Sequence, residues 1–241
     1  MNTLRNFKNI LFGAVIIAAL TLSSCGKKLE GSGNVISETR VVPTFTDIQA
    51  DGCYDVVITQ DTLQKVVVKT DDNIMPEVKT EVSSGKLRIY FADHHRNYDP
   101  TFMTVYVSSS LIGDVHLSGS GSISSTNQLI TPNPKYTLSG SGNISMSVQS
   151  QSVETNISGS GNVDIMGIAP TAQHTISGSG NIGALNLISD DVQITISGSG
   201  DAYIHANNSL NVTISGSGKV RYTGSPQVTT QITGSGNVAP Y

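Results

Sequence analysis

The chain has 241 residues, a formal net charge of −4, 13% charged and 5% aromatic residues, 24 glycines and no tryptophan. Lys and Arg are scattered singly, with no basic stripe or block, which disfavours a nucleic-acid partner and a polybasic membrane patch. Helical periodicity is missing and strand alternation dominates, so the expected fold class is all-β.

Residues 1–24 read as a lipoprotein signal peptide. Arg5 and Lys8 make a basic start, and the apolar run from Ile10 to Leu22 is too short for a comfortable membrane span. It ends in Leu22-Ser23-Ser24-Cys25, which resembles a bacterial lipobox. In a lipobox the cysteine is acylated and becomes the new N-terminus. Cys25 is therefore the expected lipid anchor, residues 25–30 the anchor and linker, and the membrane the expected partner at this end. No Asp follows Cys25, so the inner-membrane retention signal is absent and the expected location is the cell envelope, as an outer-membrane lipoprotein. Losing Arg5 and Lys8 with the leader takes the 14 basic side chains to 12, against 18 acidic ones, and the net charge to −6. Cys53 is the only other cysteine, so no internal disulfide follows. Its setting in an alternating pattern predicts a small buried side chain.

Residues 31–117 form the first part of the domain. Strands are expected at Val35–Val42, Tyr54–Thr59, Lys65–Thr70, Lys86–Phe91 and Met103–Val107. Val66 to Val68 is apolar enough to be buried on both faces. Ile74-Met75-Pro76-Glu77 suits a helical turn or a loop, and Asp93 to Asp99 is the most polar loop. Gly31-Ser32-Gly33-Asn34-Val35 echoes the repeat that follows. Phe45 to Ile58 looks like a degenerate coil, so this part is expected to continue the repeats or to cap them.

Residues 118–241 repeat. Ser-Gly-Ser-Gly starts at Ser118, Ser139, Ser158, Ser177, Ser197 and Ser215, and Thr-Gly-Ser-Gly at Thr233, at spacings of 21, 19, 19, 20, 18 and 18 residues. Such a period marks a unit that buries its apolar face only by stacking on its neighbours. The residue before each motif is Leu117, Leu138, Ile157, Ile176, Ile196, Ile214 or Ile232. Two after it come Ile123, Ile144, Val163, Ile182, Ala202, Val220 and Val238. Even spacing puts these columns on one face of an extended chain, while Thr137, Asn156, Thr175, Thr195 and Thr213 face the other way. The glycines suit a corner where backbone packs on backbone. Asn143, Asn162, Asn181 and Asn237 directly follow the motif and suit a stacked amide ladder. The simplest structure is a β-solenoid of about 19 residues per coil, with two or three strands in each. An antiparallel β-barrel or prism, each repeat a hairpin, is the alternative.

The order Phe45-Thr46-x-Ile48, Asp55-Val56-x-Ile58-Thr59-Gln60, Val66-x-Val68, Asp72-Asn73-Ile74 and Gly85-Lys86-Leu87-x-Ile89, followed by serial Ser-Gly-Ser-Gly-Asn-Val, resembles the bacterial GIN-domain family, described as the head of putative autotransporter adhesins. The resemblance covers roughly Gly31 to Tyr241. It implies a right-handed β-helix-like fold and a cell-envelope location, and carries no catalytic residues. No C-terminal membrane barrel follows the repeats here, and a lipid on Cys25 would replace it.

Catalytic and metal chemistry is thinly represented. Glycosidic cleavage needs two acids placed across a sugar bond. The only adjacent pair in the repeats is Asp190-Asp191, whose side chains point to opposite faces of a strand; with Asp201 they are the candidates for a polysaccharide-processing enzyme of the parallel β-helix type. Asp93-His94-His95-Arg96-Asn97-Tyr98-Asp99 lacks the spacing of a zinc site. His116, His174 and His205 are isolated. The repeats offer Ser or Asn where calcium-binding repeats need Asp, and no Lys-Ser/Thr follows the glycines as in a phosphate loop. No catalytic residue, metal or cofactor is expected. The expected function is a non-enzymatic envelope lipoprotein, an adhesin or scaffold whose Ser/Thr/Asn/Gln faces bind a glycan or a surface protein. A homo-oligomer covering the solenoid ends is a further expectation.

Overall fold

The computed structural model describes residues 28–241. The leader and Cys25 lie outside the described residues. Two long sheets face each other across one core, and each coil runs once through each sheet; in two coils the second run is split, into Ser122–Ser125 with Leu129–Ile130 and Asn181–Ala184 with Leu187–Ile188. The first sheet takes the strand before each motif, such as Ser152–Gly159. The second takes the strand after it, such as Asn162–Ile168. Successive repeats pair in parallel: Ile157 stands beside Ile176, Gly159 beside Gly178 and Asn162 beside Asn181. The chain is thus a β-solenoid with two or three strands per coil. The antiparallel barrel or prism is excluded, because every pairing between motif-bearing strands is parallel.

Stacking explains the motif. Gly119, Gly140, Gly159, Gly178, Gly198, Gly216 and Gly234 all have φ between +118° and +135°, where an L side chain is strained. A Cβ built on Gly159 would land on the carbonyl oxygen of Gly140, and the same collision recurs along the stack. These carbonyls close the next corner. The oxygen of Gly119 accepts the N–H groups of Ser141 and Gly142 at 3.0 and 3.1 Å, and that of Gly140 accepts those of Ser160 and Gly161 at 2.9 and 3.2 Å. The corner backbone is therefore satisfied by its copy one coil away. Inside the shaft, Leu117, Leu138, Ile157, Ile176, Ile196 and Ile214 are all buried, as are Ile123, Ile144, Val163, Ile182, Ala202 and Val220.

One interior column breaks the apolar pattern. Tyr136, Thr155 and His174 are register neighbours on successive coils, between Val115 on one side and Ile194 on the other. All three are buried, and Tyr136 Oη, Thr155 Oγ1 and His174 Nδ1 have no hydrogen-bond partner. Burial pushes the Tyr136 hydroxyl pKa up and lowers that of His174 to about 4.

In the N-terminal part, chain order and spatial order part company. The strands Asp47–Gly52 and Asp55–Gln60 form a coil directly under Val115–Gly119 and Ser122–Ser125. The next coil down is Lys86–Phe91 with Met103–Ser109, which comes later in the chain. Three antiparallel strands finish this end: Lys65–Asp71 on Met103–Ser109, Val35–Arg40 on Lys65–Asp71, and Val78–Ser83 on Lys86–Phe91. A short 3-10 turn, Met75–Glu77, joins two of them. This part both continues the solenoid and caps it.

Three local expectations are corrected. Cys53 is exposed, because Asp51-Gly52-Cys53-Tyr54 is itself a corner: Gly52 pairs with Gly119, and Cys53 takes the outward place of Ser120. Val67 is half-exposed, so Val66 to Val68 is buried on one face only. Gly31-Ser32-Gly33-Asn34 is not a coil but a loop gripped by acids. The Gly33 N–H donates to Asp71 at 2.8 Å, and the Asn34 amide donates to Asp72 at 2.8 Å. Asp71 also accepts from the Thr101 N–H at 2.8 Å and its hydroxyl at 2.6 Å. Desolvation pushes the Asp71 carboxyl upward, but the Thr101 and Gly33 hydrogen bonds outweigh it and hold its pKa below the usual carboxylate value.

Candidate functional site

Strand alternation that sends aliphatics into the shaft sends their neighbours outward. On the second sheet two of the outward columns lie next to the motif corner. The first holds Asp55, Ser122, Asn143, Asn162, Asn181, Asp201 and Lys219. The amide of Asn162 donates to Asn143 Oδ1 at 3.0 Å, and that of Asn181 to Asn162 Oδ1 at 3.0 Å. Asn181 Oδ1 then accepts the Asp201 N–H at 3.2 Å, and Asp201 Oδ1 accepts the Lys219 N–H at 2.9 Å. The amide ladder expected from the sequence is present at Asn143, Asn162 and Asn181, whereas Asn237 stands beside Lys219 and outside it. The ladder fixes the amides' orientation while leaving one N–H of Asn162, one of Asn181 and both of Asn143 unused by it.

The second outward column runs Tyr106, Val57, Ser124, Ser145, Asp164, Gly183, Tyr203, Arg221. Gly183 is the one position in it without a side chain. The Asp164 carboxylate leans into that space, where a Cβ on Gly183 would collide with Asp164 Oδ1. Around this gap the face hollows. One hollow lies toward Asn162, Asn181, Asp201 and Tyr203, and a second, sharing Asp164 and Gly183, lies toward Ser145, Met166 and Asn186. The Tyr203 ring is braced edge-to-face by Tyr241, at 6.1 Å between centroids. The site thus joins an aromatic ring, a carboxylate and a row of oriented amides, with no Lys or Arg between Tyr106 and Tyr203 in either column.

An apolar ridge borders this face. Ile130, Gln149, Ile168 and Ile188 are register neighbours, and the three isoleucines are 63, 46 and 51% exposed. Met166 lies beside them, 44% exposed.

The acids singled out from the sequence do not converge. Asp190 and Asp191 sit at the opposite corner from the motif, where Asp190 accepts from the Asn207 amide at 3.2 Å and Asp191 from the Ser209 hydroxyl at 2.6 Å. Asp201 belongs to the ladder on the second sheet. The Asp93–Asp99 loop serves as a clamp: Tyr98 stacks on Phe91 at 4.1 Å, Arg96 pairs with Glu77 at 3.5 Å, and Tyr98–Asp99 pairs with Leu29–Glu30. Among the described residues, no group of three or more His, Cys, Asp or Glu is placed to hold a metal ion. Asp164, Gly183 and Tyr203 were not singled out by sequence. The aligned repeat position they share varies too freely, from Ser124 and Ser145 to Arg221 and Ala239, to mark them in the sequence.

The family described as putative auto-transporter adhesin, head GIN domain, matches residues 44–226. Among solved structures, a putative adhesin from Bacteroides fragilis NCTC 9343 is 24% identical, with a TM-score of 0.82 over 87% of this chain and 98% of its own. A putative lipid binding protein from Parabacteroides distasonis ATCC 8503 is 22% identical, with a TM-score of 0.76 over 88% and 100%. A putative adhesin from Parabacteroides merdae ATCC 43184 is 24% identical, with a TM-score of 0.71 over 88% and 98%. At these identities the likeness is one of fold. No match was found among the curated proteins.

Proposed function

We propose, from the premise that this chain belongs to the GIN-domain family of putative auto-transporter adhesin heads, that it is a non-enzymatic adhesin which binds a neutral glycan on the outward face of its second sheet. The observation that carries this is the hollow at Gly183. Sugar rings present an apolar C–H face and a rim of hydroxyls. Tyr203 offers a flat surface to the first, and Asp164 with the Asn162 and Asn181 amides offers an acceptor and donors to the second. The missing basic residues disfavour anionic ligands. A lipid on Cys25 would hold the head at the outer membrane, and repetition of the face along the solenoid would favour multivalent attachment.

Glycan-array screening of the detergent-solubilised full chain tests this reading. Retention of neutral glycans, lost in Tyr203→Ala and Asp164→Ala, is the expected result. An array without retained glycans would refute it. Acyl labelling that disappears in Cys25→Ser checks the anchor.

A second reading has its own observation. Ile168, Ile188 and Met166 form an exposed apolar group, with Ile130 one step further on beyond Gln149, of the kind that marks contact with lipid or protein. The Parabacteroides distasonis relative described as a putative lipid binding protein makes lipid the reading to test. Displacement of a fluorescent fatty acid from the wild-type chain but not from Ile168→Ser/Ile188→Ser would favour it.

A further inference from the structure

We propose that the glycan is a linear chain lying along the solenoid axis, held at one end by Tyr203 and at the other by Tyr106. The inference rests on the glycan-binding reading above and extends it from one hollow to a track. Tyr106 and Tyr203 stand in the same outward column, six strand steps apart: Tyr106 pairs with Val57, Val57 with Ser124, Ser124 with Ser145, Ser145 with Asp164, Asp164 with Gly183, and Gly183 with Tyr203. At about 4.8 Å per parallel step the two rings are about 30 Å apart. Every side chain between them is short, so the column is a shallow floor with an aromatic ring at each end. A second hollow opens at the far end, around Tyr106, Val67 and Thr59, with Asp61 and Lys65 at its outer side. Tyr106 is 42% exposed although it sits on a packed sheet.

The polar lining follows the same axis. Ser122, Asn143, Asn162 and Asn181 run parallel to the floor, one per coil, so donors recur at a fixed step. A periodic ligand meets such a row in register, whereas a compact ligand would use one end only. Charge marks the limits of the track. Arg221 pairs with Tyr203 on its outer side, and Lys65 and Lys69 occupy the strand beyond Tyr106. The stretch between them carries only acidic or neutral side chains, which selects an uncharged polymer over an anionic one.

Titration of the full chain with size-graded neutral glucan and mannan oligomers, together with any neutral glycan retained on the array, tests the track. Binding across both rings gains from effective concentration, so affinity should rise about tenfold or more once the oligomer reaches from Tyr203 to Tyr106. Tyr106→Ala should return long oligomers to the affinity of short ones, while Tyr106→Phe keeps the gain. Both tyrosines are on the surface, and circular dichroism checks that the variants fold. Equal affinity for short and long oligomers, with Tyr106→Ala silent, would overturn the track and leave the glycan reading standing. No binding by any neutral glycan of any length would overturn both.

Discussion

The two halves of this molecule close the same corner by opposite means. In the repeats, the glycines from Gly119 to Gly234 remove the side chains that would meet the coil below, so that backbone can stack on backbone, and each carbonyl serves the corner of the next coil. In the N-terminal half the corner at Gly52 carries Tyr54 where the repeats have their second glycine. The coil beneath it, Lys86–Phe91 with Met103–Ser109, leaves through a loop and has no tight corner to stack. Tyr54 fills that space, packs edge-to-face on Phe91 at 5.7 Å and donates to the Ile89 carbonyl at 2.5 Å. A stack is thus self-supporting along its length, but its end needs side chains to do what the next copy would have done.

The sharpest way to break this comparison is one methyl group placed in each region. Gly159→Ala puts a Cβ on the Gly140 carbonyl oxygen at φ +132°, so strain and overlap add. It should cost about 3–5 kcal/mol. Gly85→Ala also adopts a positive φ, +76°, but its Cβ meets nothing within 4 Å. It should cost only about 1 kcal/mol. Urea denaturation of both variants measures the gap. Equal costs would mean that the glycines are there for conformation alone and not for close approach.

Next in size is the plug. Tyr54→Gly restores the repeat's own residue, yet it should destabilise by about 3–4 kcal/mol, because it empties a buried aromatic site. Tyr54→Phe should cost about 1 kcal/mol, the hydrogen bond to Ile89. If Tyr54→Gly were neutral, the corner would tolerate glycine without a neighbour, and the end-of-stack argument would fail.

Acid should separate the halves. His174 is buried and neutral, with a folded pKa of about 4 against 6.5. Its unfolded form binds the extra proton, so stability falls as pH drops from 6.5 toward 4, by about 3 kcal/mol across that window. His116, half-buried and likewise lowered by desolvation, adds in the same direction. Asp71 acts later. Its folded pKa lies below its ordinary value of 3.8, so the stability it gives the N-terminal clamp is present above that value and is lost as pH falls through the folded pKa. His174→Ile, copying Ile194 in the same column, should flatten the upper part of the pH–stability curve. Asp71→Asn should change only the lowest part of the curve's pH dependence, while lowering stability at neutral pH.

How much of this was legible in the sequence follows the same division. The repeats announce their register because each motif aligns with the next, and the parallel stacking, the aliphatic columns and the Asn143–Asn162–Asn181 ladder all follow from that alignment. The N-terminal half hides its order, since Lys86–Phe91 and Met103–Ser109 form the coil below a pair of strands that precede them. No local pattern encodes an insertion that travels backward along an axis. The strand Val78–Ser83 passed unread, because its outward Lys79, Glu81 and Ser83 look like loop. The column of Tyr136, Thr155 and His174 also escaped, since three polar residues scattered over 39 positions look isolated until the register stacks them. The hollow at Gly183 needed the outward column to be assembled before one missing side chain could stand out.

The smallest expected effect tests the corner equivalence directly. Cys53 occupies the place of Ser120 in a degenerate motif and points to solvent. Cys53→Ser therefore writes the repeat's own residue into the N-terminal corner and removes no buried surface. Its effect on stability should stay within about 0.5 kcal/mol. In the native protein the Cys53 thiol should react with a maleimide without any need for urea, because no packing has to open first. A slow reaction, speeding up only as urea unfolds the chain, would place Cys53 inside after all. The corner at Gly52 would then not be a copy of those above it, and the two halves would differ in backbone path as well as in what fills the space beneath.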